Sequence, residues 1–228
     1  MDLLRQRDLV PHSKMASTNF VVIGAGAIGR QVAVLLAASG AGNITVFDPD
    51  KVNKENLGVQ GYGHADMLKY KVYALEDAIH AVDAAALVLT ETRPFGKSES
   101  RVVWQSKFKE RNVVFCCVDS IDARKEVFDC LIAEGFVGDT PGLLIDGRMA
   151  AELLRVWAWK TDAPQDDYRQ TLFPSEEAFK APCTGRTTLY SSYVVAGIMV
   201  GEFVKWLRGE EPTASQTFNL RASEHWCQ

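Results

Sequence analysis

The residues best suited to chemistry begin with a glycine-rich turn. The apolar run Phe20–Ile23 leads into residues 24–29, which have the spacing G-x-G-x-x-G. In such a turn Gly24 permits a tight bend, Gly26 lets backbone N–H groups approach a phosphate, and Gly29 lets helix and strand pack closely. The start of the next helix adds partial positive charge. The pattern predicts a site for a ligand that carries phosphate.

Carboxylates follow several of the apolar runs. Asp48 ends the second run, at about the 20-residue distance from the turn at which an acid binds ribose hydroxyls in nucleotide sites. Ligands of parallel sheets bind beyond the carboxyl ends of the strands. We therefore expect one edge of the sheet to hold the glycine turn together with the carboxylates Asp48, Asp119 and Asp146.

The polar segment after Asp48 separates two classes of nucleotide-binding protein. Residues 50–60 read D-K-V-N-K-E-N-L-G-V-Q, and Lys71 follows shortly after. A dehydrogenase has no need of this segment. An enzyme that joins a carboxylate to a phosphate brings two anions together, so it needs polar and cationic groups that position and stabilise them.

Alternating apolar runs and helical periodicities predict the elements that position these residues. They indicate an α/β fold with a doubly wound, mostly parallel, Rossmann-like sheet. The predicted strands are Phe20–Ile23, Ile44–Phe47, Leu87–Thr90, Val113–Val118 and Leu143–Ile145, and the predicted helices cover about 27–38, 68–81, 121–134 and 188–207.

The pattern changes after Ala150. Glu152–Lys160 alternates as an antiparallel strand does, residues 161–187 are polar and contain three prolines, and Phe218–Leu220 suggests a last strand. We expect an N-terminal arm (1–18), a nucleotide-binding core (19–150) and a C-terminal extension (151–228) of the same domain, with its most mobile segment at 161–187. The spacing Gly197-x-x-x-Gly201 would allow close helix packing.

Composition limits the compartment and the partners. The 228 residues have a formal net charge of -4, which disfavours nucleic acid as a partner. The amino terminus lacks the apolar core of a signal peptide, and Val194–Val200 is too short to cross a membrane. We expect a cytoplasmic protein with free thiols. Its five cysteines form no C-x-x-C pair: Cys116, Cys117, Cys130, Cys183 and Cys227.

The combined motifs resemble the ThiF/MoeB and ubiquitin-activating family of adenylating enzymes. The resemblance rests on the glycine turn, Asp48, residues 50–60, Lys71, and the string Cys117-Val118-Asp119-Ser120 followed by Arg124. It runs from about residue 20 to residue 150 and is weaker in the helix at 188–207. No single motif is specific, but the combination is.

The resemblance implies an enzyme that uses ATP to adenylate the C-terminal glycine carboxylate of a small ubiquitin-like or sulfur-carrier protein. Asp48 would hold the ribose, Asn56 and Lys71 the phosphates, and Asp119 a Mg²⁺ ion. Arg5 resembles an N-terminal arginine that reaches the site of the partner subunit, which implies a homodimer.

Two departures from the family pattern concern a cation and a metal. Val59 stands where relatives often carry arginine, and the missing C-x-x-C pairs imply that no structural zinc is bound. Cys183, in Pro182-Cys183-Thr184, resembles a cysteine that forms a thioester with the activated carboxylate, which would add a conjugating enzyme as a partner. A structural or incidental thiol is the equal alternative.

Each assignment has an alternative. Asn56 could cap a turn, Lys71 could be a solvated helix lysine, Asp119 could cap a helix, and Arg5 could be a surface arginine. Asp122 and Arg124 are interpreted as surface charges of a helix, while Arg148 could supply charge to the site. The alternative functions are an NAD-dependent oxidoreductase and a nucleotide-binding scaffold without catalysis.

Overall fold

The computed structural model of the chain describes residues 3–96, 111–138, 140–173 and 188–227. The strands in these ranges are β1 (Thr18–Ile23), β2 (Asn43–Phe47), β3 (Leu87–Glu91), β4 (Arg111–Cys116), β5 (Gly142–Ala150), β6 (Leu153–Lys160), β7 (Ser215–Asn219) and β8 (Glu224–Cys227). The helices are α1 (His12–Ala16), α2 (Ala27–Ala38), α3 (Lys71–Val82), α4 (Ile121–Ala133), α5 (Gln165–Arg169) and α6 (Leu189–Arg208).

One mixed sheet organises the described residues. Its strand order is β3-β2-β1-β4-β5-β6-β7-β8. The pairs from β3 to β5 are parallel, and the pairs from β5 to β8 are antiparallel. The predicted fold class, a mostly parallel Rossmann-like sheet with an antiparallel C-terminal extension, is confirmed.

Apolar layers cover both faces of the parallel part, so its strands are buried on both sides. All six residues of β1 are buried. Phe20 belongs to the layer that packs against α2, α3 and α6, and its ring meets that of Phe203 edge to face with centroids 5.1 Å apart. Val21 belongs to the opposite layer, which also contains Phe128 of α4 and Trp159 of β6.

A row of asparagine amides lies across three strands near their amino ends. Asn43 Nδ2 donates to Asn19 Oδ1 at 2.9 Å, and Asn19 Nδ2 donates to Asn112 Oδ1 at 3.2 Å. Buried amides must keep such partners because an unpaired polar group in the core is costly. A shift of one residue in any strand would break the row, so these bonds help fix the register.

Several predicted boundaries differ from the structure by a few residues, as in β1 and β4, and three differences have clear physical reasons. β5 continues past Asp146 to Ala150 because β6 pairs with it from Leu143 to Ala150. α3 begins at Lys71 rather than Leu68, since Leu68 has a φ of 68° and the chain before Lys71 is extended. The predicted strand Phe218–Leu220 is β7, which starts earlier, and β8 was not predicted.

The glycines of α6 do not pack closely against another described element. A Cβ atom added to Gly197 or Gly201 would meet nothing within 4 Å. The helix instead packs through its other face, which contains Ala196, Met199 and Phe203. No helix in the described ranges combines the length and hydropathy needed to cross a membrane.

Candidate functional site

A cavity of about 750 Å³ opens at the carboxyl ends of β1, β2 and β4. Its size lies within the ~300–1,000 Å³ that is usual for small-molecule and cofactor sites. The predicted site residues Gly24, Gly26, Asp48, Lys71 and Asp119 all line it. The fold therefore brings together residues that are almost a hundred positions apart in the chain.

The glycine turn is shaped by close backbone contacts. Gly24 has a φ of 95°, and an added Cβ would lie 2.8 Å from the carbonyl oxygen of Cys117. At Gly29 an added Cβ would overlap the Gly24 carbonyl, which explains the close helix–strand approach. Nothing lies within 4 Å of a Cβ added to Gly26, so the backbone there faces open space.

Asp48 is bonded to the glycine turn. The N–H of Ala25 donates to Oδ2 at 2.7 Å and the N–H of Asp50 donates to Oδ1 at 2.8 Å. Burial raises the pKa of Asp48, although the Lys71 charge and these two bonds act in the opposite direction. Each oxygen keeps a lone pair for a further donor, so the Asp48 carboxylate can accept hydrogen bonds from the hydroxyls of a ligand.

Lys71 lies in the cavity wall rather than in solvent. Its side chain is only 8% exposed, and Nζ lies 2.8 Å from Asp50 Oδ2 and 4.0 Å from Asp48 Oδ1. Lys69, two positions earlier, is exposed and pairs with Asp77 at 2.9 Å. The alternative of a solvated helix lysine is therefore wrong for Lys71.

Tyr62 joins the glycine turn to the start of α3, and sequence reasoning missed it. Its hydroxyl donates to the carbonyl oxygen of Ala25 at 2.7 Å and lies 3.4 Å from the Lys71 carbonyl oxygen. Burial raises the pKa of this hydroxyl far above its usual value, so it stays protonated. The only sequence signal was a tyrosine between two glycines in a polar segment.

The side-chain oxygen of Asn56 is used in a turn. Oδ1 accepts the N–H of Asn53 at 2.9 Å, and Asn53 Oδ1 accepts the N–H of Asn56 at 3.2 Å. The carbonyl oxygen of Asn56 accepts the N–H of Gln60, which lines the cavity. The capping alternative therefore describes this oxygen, and a contact with phosphate stays a prediction.

Asp119 is left open to the cavity. Ser120 caps α4, since its Oγ accepts the N–H of Ala123 at 3.2 Å. The alternative that Asp119 caps this helix is therefore wrong, and its exposed carboxylate is available to a ligand. Within the described ranges no three His, Cys, Asp or Glu side chains are grouped to hold a metal.

The structure corrects the predictions made for Asp146 and for Arg124. It is fully buried in β5 instead of lying at the open edge, and it accepts bonds from Arg124 Nε at 2.8 Å and Arg148 Nε at 2.7 Å. The Tyr168 hydroxyl donates to it at 3.0 Å. Burial would raise the pKa of Asp146, but the two guanidinium groups hold it below its usual value. Arg124 is therefore a buried residue, not a surface charge.

The remaining predicted residues lie elsewhere. Arg5 is exposed in a short 3₁₀ turn, Leu4–Gln6, and a role in a dimer stays a prediction. Cys183 lies outside the described residues. Cys116 and Cys117 are buried in the core, as expected, and burial raises the pKa of Cys116 to about 12.

Comparison with curated proteins finds relatives that are named as activating enzymes or as adenylyltransferases. The chain is 28% identical over 137 residues to the NEDD8-activating enzyme E1 catalytic subunit of Schizosaccharomyces pombe, covering 58% of this chain and 28% of that protein. It is 25% identical over 163 residues to the adenylyltransferase and sulfurtransferase MOCS3 of Caenorhabditis briggsae, covering 71% and 38%. The chain thus spans well under half the length of these relatives.

Solved structures share the fold. PaaA has a TM-score of 0.73 and 18% identity, covering 95% of this chain and 74% of that chain. Escherichia coli MccB with ATP has a TM-score of 0.69 and 16% identity, covering 95% and 65%. The model of the ThiF family matches residues 5–225. Since that match covers nearly all of the sequence, the chain belongs to the ThiF family.

Proposed function

We propose that this chain uses ATP to adenylate the C-terminal glycine carboxylate of a small ubiquitin-like or sulfur-carrier protein. A carboxylate oxygen attacks the α-phosphorus of ATP, the bond from that phosphorus to the bridging oxygen of the β-phosphate breaks, and pyrophosphate leaves. The observation that carries the proposal is that Lys71 and Asp119 line one cavity with Asp48 and the glycine turn. A nicotinamide dehydrogenase would leave Lys71 and Asp119 without a purpose.

The nucleotide would be held by the turn and by Asp48. The space above Gly26 lets backbone N–H groups at the start of α2 approach a phosphate. Asp48 has a lone pair left on each oxygen, so it can accept bonds from ribose hydroxyls. Because Tyr62 fixes Ala25 and Lys71 relative to one another, the phosphate-binding elements are positioned before a ligand arrives.

Lys71 would supply positive charge to the phosphates. Its ammonium group is held by Asp50 at the cavity wall, and phosphate oxygens would compete with that carboxylate. The Lys71 side chain is buried, so its charge is screened less than a surface charge would be. This interaction would strengthen as negative charge shifts to the leaving pyrophosphate.

The residues present fit a Mg²⁺ ion. Proteins usually hold this ion through one or two carboxylates together with substrate phosphates. Asp119 offers an exposed carboxylate in the cavity wall, so a group of three protein ligands is not required. Bound there, the ion would offset charge on the phosphate oxygens. Structural zinc is not part of the proposal.

Relatives support the choice of acceptor. The relatives include a NEDD8-activating subunit and adenylyltransferase–sulfurtransferases, and a solved structure of the fold contains MccB with MccA. We extend this to a homodimer in which Arg5 reaches the neighbouring site. Cys183 would attack the acyl-adenylate carbonyl as a thiolate and release AMP, and a conjugating enzyme would then take the acyl group.

Carrier-dependent exchange of labelled pyrophosphate into ATP tests the reaction. We expect exchange with a candidate carrier that ends in glycine, and none when its terminal carboxylate is amidated. Asp119→Asn should abolish exchange while Asp122→Asn, an exposed change in the first turn of α4, should not. Exchange that persists in Asp119→Asn would contradict the metal role, and uptake of NAD without ATP binding would contradict the function.

A further inference from the structure

The cavity wall is rich in acidic groups. Asp48, Asp50, Asp119 and Glu126 line it, while the cations among the described lining residues are Lys71 and Arg124. A ligand with several phosphates would be repelled by this wall unless fixed cations and a metal offset it. Lys71 is already paired with Asp50. The role of Arg124 therefore decides how much cationic charge the wall offers.

Arg124 is held rigidly. Nε donates to Asp146 at 2.8 Å, Nη1 donates to the carbonyl oxygen of Ser120 at 3.0 Å, and Nη2 donates to that of Gly147 at 3.0 Å. The residue is 4% exposed. Three acceptors, one on Ser120 and two in β5, thus fix the guanidinium of this cavity-lining residue without leaving it the freedom of a surface side chain.

The charge of Arg124 is only partly neutralised. Asp146 is shared between Arg124 and Arg148, which lie 2.8 and 2.7 Å from its two oxygens. Tyr168, its remaining partner, donates a neutral hydroxyl. Among the described residues one carboxylate is paired with these two guanidinium groups, which leaves the cluster with one excess positive charge. A buried charge of this kind is weakly screened and costly unless it meets an anion.

Arg148, the second arginine bonded to Asp146, is itself held by Thr171. Its Nη1 and Nη2 donate to the carbonyl oxygen and the hydroxyl of Thr171, both at 2.8 Å. Arg148 is thereby turned toward Thr171 and Asp146, whereas Arg124 lines the cavity. The two arginines are therefore not equivalent, because only Arg124 of this pair is among the lining residues.

We propose that Arg124 is a fixed cation of the nucleotide site that stabilises a phosphoryl oxyanion, with Asp146 and Arg148 as its positioning residues. The inference rests on the proposed function, since it assumes a nucleotide in this cavity. The excess positive charge of the cluster then has a role in binding phosphate, which a purely structural ion pair would not have. Arg124 should therefore strengthen the binding of a nucleotide's phosphates and leave the binding of the nucleoside unchanged.

Calorimetry with ATP, AMP and adenosine, in the presence of Mg²⁺, tests the proposal. Arg124→Gln should weaken ATP binding roughly ten- to hundredfold, the range for losing one bond to a charged group, with adenosine affinity unchanged. Arg221→Gln, in the exposed turn before β8, is the control and should change neither. An equal loss of affinity for AMP would place the oxyanion at the α-phosphate. A loss of affinity confined to ATP would place it at the β- or γ-phosphate.

A second variant distinguishes a loss of the binding charge from misfolding of the Arg124 variant. Arg148→Gln removes the excess charge but leaves Arg124 in place, so it should also lower ATP affinity more than adenosine affinity. Equal losses for ATP and adenosine, or no loss in any variant, would overturn the proposal. A wild-type protein that fails to bind ATP at all would instead overturn the function itself, so the two failures are distinguishable.

Discussion

The backbone N–H of Ala25 donates to Asp48 Oδ2 at 2.7 Å, so the acid that follows β2 is bonded directly to the glycine turn after β1. This bond links the two elements that would hold a nucleotide. Asp48 therefore has two tasks, since it orders the turn and offers the remaining lone pairs to a ligand. Its substitution should affect both the stability of the fold and the affinity for nucleotide.

Asp48→Ala should destabilise the fold by about 1–3 kcal/mol, because the buried N–H of Ala25 loses its acceptor. Asp48→Asn, which keeps one oxygen acceptor, should lose less stability. Both variants should bind ATP more weakly. Urea unfolding and calorimetry measure the two effects. Full stability in Asp48→Ala would show that the bond does not order the turn.

Lys71→Ala should lower the pyrophosphate exchange rate by about 10²-fold or more, the loss seen when one preorganised charge stabiliser is removed. Lys69→Ala is the matched control, since Lys69 pairs with Asp77 on the surface and away from the cavity lining. Its rate should stay close to that of the wild type. Equal rates for the two variants would remove Lys71 from the mechanism.

Tyr62→Phe should cost about 1 kcal/mol of folding free energy, since it removes the bond from the hydroxyl to the Ala25 carbonyl oxygen. Tyr73→Phe, at an exposed position of α3, should stay within about 0.5 kcal/mol of the wild type. Because Tyr62 also lies beside the Lys71 carbonyl, nucleotide affinity should fall as well. Denaturant titrations with and without ATP report both quantities.

The carboxyl group of Asp146 should make the stability of the fold depend on pH. The folded protein holds the pKa of this carboxyl below its usual value, so its contribution is present above the unfolded pKa of about 3.9 and is lost as the pH falls through the lower folded value. Asp146→Asn should cost about 3–5 kcal/mol at neutral pH, since it leaves buried guanidinium groups without their anion. Its stability should also fall less steeply below pH 4 than that of the wild type.

Local patterns predicted much of the sheet and of the site. The glycine turn, Asp48 and Asp119 follow continuous apolar runs, and the strand order then brings their ends together without further information. Lys71 was identified through the resemblance to the family. Periodicity alone did not single it out, since it placed Lys71 inside a helix that began at Leu68.

Features that depend on distant partners were missed. Asp146 is buried because β6, formed by later residues, extends β5 beyond it. Arg124 is buried because that same carboxylate accepts its Nε, and the bond of Tyr62 to Ala25 spans 37 positions. Neither contact leaves a trace in local composition. The edge strand β8 consists of exposed residues, so it has no buried alternation to reveal it.

Mass spectrometry of the reaction products tests adenylation most directly. The protein is incubated with ATP, Mg²⁺ and a carrier that ends in glycine, and the acyl product is trapped with hydroxylamine. We expect pyrophosphate and AMP to form in step with a hydroxamate at the terminal glycine, and expect all three products to form about 10²-fold more slowly, or slower still, with Lys71→Ala. Formation of ADP and phosphate with an unmodified carrier terminus would contradict the account.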